Sequence, residues 1–425
     1  MLSGHLSPAQ QLACGLRAPP GDGSTWAAVQ AAYRFLNNPR VTLRTLAEPL
    51  LDAAHQAVPQ QCDRFVLASH DWSLIRFRRH HRKLDRQQVK GKKWKEGYEL
   101  HSCLLVSDRG GEPIAPVAMS LHAADGAHCS RSAEVRPILS VLDELDPAMS
   151  FVERQNFGKP VVHIVDAEAD SVAHYRLWSE VPGRTFLVRA DDRLVEFRGE
   201  EQKISVVRET LQREGCFQYA REVRYRDRPA SQWITEVPVC LLRAGQQNRA
   251  DGSRKRVAGP PLPLRLILSE VNDAKGNVVA TWRLLTNAPA EVDATTIALW
   301  YYWRWRIETY FKLLKTAGFD LEDWQQESAG ALTRRLLVAS MACVIVWHLA
   351  RDQSPEADQT RKLLIQLSGR QMKRSTPFTA PALLSGLWML LQIQFVLQNY
   401  DPSELLRIAD LALPQFRAGP ASEDV

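Results

Sequence analysis

The chain has no CxxC pair. Its 7 cysteines among 425 residues are scattered and odd in number, which argues against a zinc site or a disulfide framework and suits a reducing cytoplasm. The opening residues, MLSGHLSPAQQLACG, lack the basic start and long apolar core of a secretory signal, so export is not expected. Long apolar runs are scarce as well. Residues 336–347 are too few to span a bilayer, and 381–397 are interrupted by Ser385, Gly386, Gln392 and Gln394. Both are expected to be buried helices, with no membrane partner. Internal repeats and low-complexity tracts are lacking too, and the composition excludes disorder and fibres. Charge of one sign is not extreme: a formal net charge of +6 permits a polyanionic partner without requiring one.

What is present is a globular composition, 45% hydrophobic and 24% charged, enough for one large core or two to three smaller ones. Residues 24–60 read as helical, with a break at Pro39. From Arg64 onward come short β-rich runs, FVLAS (65–69), LHSCLLVS (100–107) and PIAPVAMS (113–120). A helical stretch over 133–153, the apolar strand VVHIV (161–165), a helix from about Ala169 and the strand TFLVR (185–189) complete an α/β pattern. Between Cys216 and Leu285 the texture alternates, as in WITEVPVCLL, which predicts an inserted antiparallel β region; 243–261 have loop composition. After Leu285 the chain reads as helical to its end.

The stretch YYWRWRIETYFKLLK, 301–315, sets bases and aromatics around a single carboxylate. On one continuous α-helix, at about 100° per residue, Tyr301, Arg304, Glu308, Lys312 and Lys315 fall within roughly 80° of one another. A solvated stripe with a Glu308–Lys312 pair is the ordinary reading of such a face. Cations flanking one carboxylate also suit a site in which Glu308 holds a metal and the bases hold phosphates.

The spacing Tyr301-x2-Arg304-x3-Glu308-x6-Lys315 resembles the Y(2)R(3)E(6)K signature of bacterial DDE transposases of the insertion-sequence-four family, which includes the transposon-five enzyme. From ordinary residue frequencies such a match arises by chance on the order of once in a hundred chains of this length, or less. The resemblance implies two upstream aspartates. Asp71 stands at the end of the strand in FVLASHDWSL, and Asp166 follows the buried strand in VVHIVDAEAD, where the family's usual form is DREAD and this chain has Ala167. Where the family often has two threonines after the first aspartate, this chain has Trp72 and Ser73. Asp63, Asp85, Glu168 and Asp170 stand nearby as fallback carboxylates.

The resemblance implies a ribonuclease-H-like α/β core with an inserted antiparallel β domain, a helical N-terminal module and a helical C-terminal region. The segments are 1–60 (helical, DNA-binding), 61–200 (first part of the core), 201–280 (inserted β domain), 281–350 (second part, with the Glu308 helix) and 351–425 (helical, a dimer contact). It implies a cut-and-paste transposase in which Asp71, Asp166 and Glu308 hold Mg2+, with Mn2+ able to substitute. Two such ions about 3.5–4 Å apart activate the attacking oxygen and stabilise the leaving one. The partner is double-stranded DNA, both the element's terminal repeats and the target, bound by a homodimer in the bacterial cytoplasm. A same-fold nuclease, or a DNA-binding protein without catalysis, remains open at this stage.

Three further groups of DNA contacts are expected. The run RFRRHHRKLDRQQVKGKKWK, 76–95, holds ten Lys and Arg residues against the single acid Asp85. Begun five residues after Asp71, it offers Arg76, Arg78, Arg79, Lys90, Lys92 and Lys93 as a phosphate track. By the resemblance, Trp282 in ATWRLLTNAPAE stacks on a flipped base during hairpin formation, and Tyr301, Arg304, Lys312 and Lys315 grip the phosphates around it.

Overall fold

In the computed structural model, residues 25–77, 80, 82–89, 95–137, 140–226, 228–248, 254–257 and 259–412 are described. Arg78, Arg79, Lys90, Lys92 and Lys93 of the expected phosphate track lie outside them. The chain divides into two units, one of 39–322 and 327–344, the other of 1–38, 323–326 and 345–425.

The larger unit is built on one mixed sheet. Its strands are β1 (Val66–Ile75), β2 (Gln87–Val89), β3 (Lys95–Ser107), β4 (Pro113–Ala123), β5 (Gly126–Cys129), β6 (Val161–Val165), β7 (Thr185–Arg189), β8 (Leu194–Phe197), β9 (Glu200–Lys203), β10 (Gln218–Tyr225), β11 (Arg228–Leu241), β14 (Leu262–Asn272) and β15 (Val278–Thr286). The order is β5-β4-β3-β1-β6-β7-β15-β14-β11-β8-β9, with β2 on β3 and β10 on β11. Only β1, β6 and β7 run parallel. The mixed α/β class expected from the sequence is what forms, and the apolar runs VVHIV and TFLVR coincide with β6 and β7.

Several local expectations are corrected. The antiparallel region expected between Cys216 and Leu285 is present, and it continues the main sheet: β15 hydrogen-bonds to β7 and carries β14 and β11 outward from it. Residues 243–261, read as loop, contain a separate hairpin of β12 (Gly245–Asn248) and β13 (Arg254–Val257). Within the basic run, β2 pairs with β3, and Lys83 is buried with its ammonium 4.2 Å from the Phe77 ring centroid. The helical stretch expected from 133 begins at Val141, as a 3-10 turn capped by Ser140 that leads into the α-helix at Leu145; before it, Arg136 bridges back to Ala127 as an extra β partner.

Helices cover both faces. On one, α2 (Leu43–Gln61) and α3 (Leu145–Arg154) bring Ala54, Val58, Ala148 and Val152 against Val66, Ala68, Cys103 and Leu105 of the sheet. Thr42 caps α2 by accepting from the Thr45 amide. Further along, α4 (Val172–Ser179) and α5 (Ile204–Arg213) place Tyr175, Trp178, Val207 and Leu211 over Phe186, Val188, Leu266 and Leu285. After β15 come α6 (Ala294–Trp303) and α7 (Trp305–Lys312), which carry most of the 301–315 stretch.

The first of these faces also buries polar groups. His70 Nε2 lies 3.0 Å from His163 Nδ1, His70 Nδ1 lies 3.3 Å from His101 Nε2, and His163 Nε2 approaches Glu153 Oε1 at 3.3 Å. Burial pushes His101 and His163 down from the usual imidazole range, and it lowers the nearby His122 to about 4. These imidazoles stay neutral in the fold at a pH where the unfolded chain protonates them, near 6.5. Folding stability is therefore full above about pH 6.5 and falls as the pH drops, because the unfolded state then binds more protons. Below that pH each group contributes a slope of at most about 1.4 kcal/mol per pH unit. Urea midpoints at pH 7.5 and 5.5 should differ steeply; equal midpoints would mean that the histidines are charged in the fold.

In the smaller unit, α1 (Thr25–Asn37), α9 (Pro355–Ser368), α10 (Ala380–Asn399) and α11 (Pro402–Ala412) join the end of α8 (Ala329–Arg351), whose residues up to Val344 belong to the larger unit. Val346, Leu364 and Leu383 form its core, and Gly386 lets α10 approach closely: an added Cβ would lie 2.1 Å from the Leu364 carbonyl oxygen. Both α8 and α10 are long and apolar enough to cross a membrane by length and composition. The window in α8 is 61% buried, as expected for a core helix, but that in α10 is 17% buried, which corrects the expectation of a buried helix. The small core contacts one side of α10 and leaves Met389, Leu391 and Leu397 exposed.

Candidate active site

The position of the acidic residues follows from strand register. The parallel ladder between β1 and β6 ends at the pair His70 and Val165, and the ladder between β6 and β7 ends at Val165 and Val188. Asp71, Asp166 and Arg189 are the next residue on each strand, so they share one row at the carboxyl edge of the parallel strands. Side chains alternate along a strand, so Asp71 lies on the opposite face from His70. Crevices at carboxyl ends of parallel strands are where α/β sheets bind ligands. Asp71 does not end its strand, however. β1 continues to Ile75, paired with β3 alone out to Tyr98.

Against this row lies the 301–315 stretch, which is not the single helix that its periodicity suggests. α6 stops at Trp303 and α7 begins at Trp305, with a tight turn at Arg304, whose amide bonds to the Tyr301 carbonyl. Beyond α7, Leu313–Ala317 form a π-helical turn, a feature frequent at functional sites. The joint is seated on the β3–β4 turn. Arg306 Nε donates to the Gly111 carbonyl at 2.8 Å, and Gly111, at φ +72°, leaves room for the Trp303 ring where a Cβ would fall 2.4 Å from it.

At the centre is the Arg304 guanidinium, 2% exposed. Nη1 donates to Asp71 Oδ2 at 2.8 Å, while Nη2 lies 3.0 Å from Glu308 Oε1 and 3.3 Å from Asp166 Oδ2. Asp71 also accepts from the Trp72 amide at 2.8 Å. Asp166 caps the short turn Ala167–Ala169, accepts from Tyr301 at 3.3 Å and pairs with Arg189 Nε at 2.7 Å. Burial raises the Asp71 and Glu308 carboxyls, with Arg304 opposing the rise. Burial also disfavours the charge on Arg304, but Tyr301 and the three carboxylates outweigh it and hold the guanidinium more basic than usual.

A cleft of about 440 Å³ opens over these groups, lined by Asp71, Ser73, Asp166, Glu308, Lys312 and Lys315 among others. Lys312 is exposed there, whereas the Lys315 ammonium donates to the Leu74 carbonyl and burial lowers its pKa. Trp282 is 9% exposed, its ring 6.1 Å from that of Tyr301. Arg76 binds Glu322 through its backbone amide, at 3.0 Å. The fallback acids have structural partners: Asp63 holds Arg109, Asp85 accepts from Tyr98 and the Ala329 amide, and Asp170 accepts from Tyr175 and the Asp191 amide.

The structure thus brings Asp71, Asp166, Glu308, Tyr301, Arg304, Lys312 and Lys315 to one place, with Trp282 behind Tyr301. Sequence reasoning missed Arg189, whose signal was its place directly after the apolar strand residues TFLV. Three convergent carboxylates make a hard, all-oxygen donor set, which fits a divalent cation such as Mg2+. The described residues contain no ready-made cluster of three or more metal ligands, because Arg304 stands between the carboxylates.

A family model described as "Transposase DDE domain" matches residues 65–345. That span contains every one of these side chains. Compared with curated proteins, the chain matches none.

Proposed function

We propose a function from one premise: this chain belongs to the DDE transposase family, and is a metal-dependent phosphoryl transferase that binds DNA and acts in DNA transposition. The finer reading is a cut-and-paste enzyme similar to the insertion-sequence-four and transposon-five transposases, on a ribonuclease-H-like core. The observation that carries it is the convergence of Asp71, Asp166 and Glu308, from β1, the end of β6 and α7, on one point in an open cleft. The signature residues Tyr301, Arg304, Glu308 and Lys315 supply the family resemblance.

Asp71, Asp166 and Glu308 would hold Mg2+, or Mn2+ in its place, and the bound metal supplies Lewis-acid activation of an oxygen nucleophile and stabilisation of the leaving oxygen. The chain's own part is to hold the carboxylates in place, draw the phosphates in and orient the strand. Lys312 suits the second task, as an exposed ammonium on the cleft wall. Arg189 and Arg304 add guanidiniums matched to phosphate oxygens. The substrates would be the element's terminal repeats and target DNA, in the bacterial cytoplasm. A hairpin intermediate rests on Trp282, which at 9% exposed becomes a stacking surface only once it is uncovered. The exposed apolar side of α10 supports a homodimer on DNA, with Leu391 and Leu397 at the contact.

The test is cleavage of an end-labelled duplex carrying the element's terminus, with Mg2+ or Mn2+, by the wild type and by Asp71→Ala. Metal-dependent nicks and joined products from the wild type, and DNA binding alone from the variant, are expected. Nicks without joining would make the protein a nuclease. Binding without cutting in any metal would make it a DNA-binding protein only.

A further inference from the structure

We propose that Arg304 is an internal counter-cation that competes with divalent metal for the three carboxylates, so that metal and DNA each favour binding of the other. The inference rests on the reading of Asp71, Asp166 and Glu308 as metal ligands.

The same oxygens are involved. Asp71 Oδ2, Glu308 Oε1 and Asp166 Oδ2 all lie within 3.3 Å of the two terminal nitrogens of Arg304. A small divalent cation needs carboxylate oxygens at about 2.0–2.1 Å. Oxygens directed at one guanidinium cannot close on a cation at the same point, so the two occupants exclude each other.

The arginine is held, but not completely. Its Nε is buried and meets no acceptor among the described residues. Once separated from the carboxylates, a buried guanidinium carries a large penalty unless a new anion meets it. A phosphate of the DNA backbone is such an anion, with geometry suited to two parallel N–H donors. Metal entry therefore frees a phosphate ligand, and phosphate capture frees the metal ligands. Thermodynamic linkage makes the coupling equal in both directions.

The experiment measures Mn2+ affinity by electron paramagnetic resonance for the full chain, alone and with a short duplex. Arg304→Gln removes the charge, and Arg304→Lys keeps it without the fork. Alone, Arg304→Gln should bind Mn2+ about tenfold more tightly than the wild type. The duplex should tighten Mn2+ binding several-fold in the wild type and not in Arg304→Gln, with Arg304→Lys between. A merely structural role would not create that difference in coupling. Should Arg304→Gln fail to fold, the wild-type coupling and its reduction in Arg304→Lys decide the matter. Equal or weaker Mn2+ binding by folded Arg304→Gln, or wild-type Mn2+ affinity indifferent to the duplex, overturns the proposal. Absence of Mn2+ binding in the wild type and both variants overturns the metal-ligand reading along with it.

Discussion

Glu308→Gln should abolish metal-dependent DNA cleavage, by on the order of 10³-fold or more, while leaving the protein as stable as the wild type or slightly more so. The loss follows from charge. A neutral amide cannot match a carboxylate as ligand to a divalent cation, and metal stabilisation of the transition state is worth several kcal/mol. The stability follows from the same cluster seen in the fold. In direct ion pairs, the three carboxylates of Asp71, Asp166 and Glu308 meet only two guanidiniums, those of Arg304 and Arg189. Glu308, with its side chain 38% exposed, is the carboxylate least enclosed by the protein, so its neutralisation relieves repulsion without leaving a deeply buried partner unpaired. Activity needs the arrangement that folding would relax. Single-turnover cleavage and thermal unfolding on the same preparations separate the two effects. Cleavage within tenfold of the wild type would remove Glu308 from the machinery; a large drop in the unfolding midpoint would show the carboxylate to be structural. Glu308→Gln combined with Asp71→Asn should be hardly worse than either alone, as for residues that act as a unit.

Much of this site was legible in the chain itself, and what was not has identifiable causes. Spacing in 301–315 singled out Tyr301, Arg304, Glu308 and Lys315, and apolar runs located β6 and β7. Periodicity could not reveal the turn at Arg304. That turn coincides with contacts from Asp71 and Asp166, which lie more than 130 positions away in the chain, and local pattern carries no such information. The residues still converge because steps of three and four tolerate a short tightening of the helix. Arg189 was visible only through register: it becomes a neighbour of Asp166 because Val165 pairs with Val188. The apolar composition of 381–397 suggested burial, yet a helix is buried only if enough partner surface exists, and the core around Leu364 and Leu383 is small. In the basic run, Lys83 went inside because Phe77 and neighbouring acidic groups receive it, so a charge run was not wholly a solvated loop.

In the polar cluster where β7 meets α3, Arg184→Ala should cost far more stability than Glu308→Gln. The side chain is fully enclosed. It donates to both oxygens of Glu153, at 2.8 and 2.9 Å, to Ser150 Oγ at 2.8 Å and to Asp146. Burial works against the Glu153 charge, but Arg184 and His163 hold the carboxyl down at about 2. Alanine would leave that carboxylate with only an approach from His163, whose own protonation burial opposes. Removing one partner of a buried pair typically costs about 3–5 kcal/mol, more than the pair itself is worth. In a unit of this size the thermal midpoint should fall by on the order of 10 °C. If the cost lies in the stranded charge, Glu153→Gln should recover part of it in the Arg184→Ala background, giving a double mutant less destabilised than the sum of the two singles by about 1–3 kcal/mol. Additive losses would instead assign the cost to the cavity. The distinction bears on function because Glu153 meets His163, and His163 meets His70, the residue that precedes Asp71 on β1. Loosening that end of the chain of contacts should shift the strand that presents the carboxylate, so Arg184→Ala protein assayed well below its melting point should cleave more slowly, while Asp71 itself is unchanged.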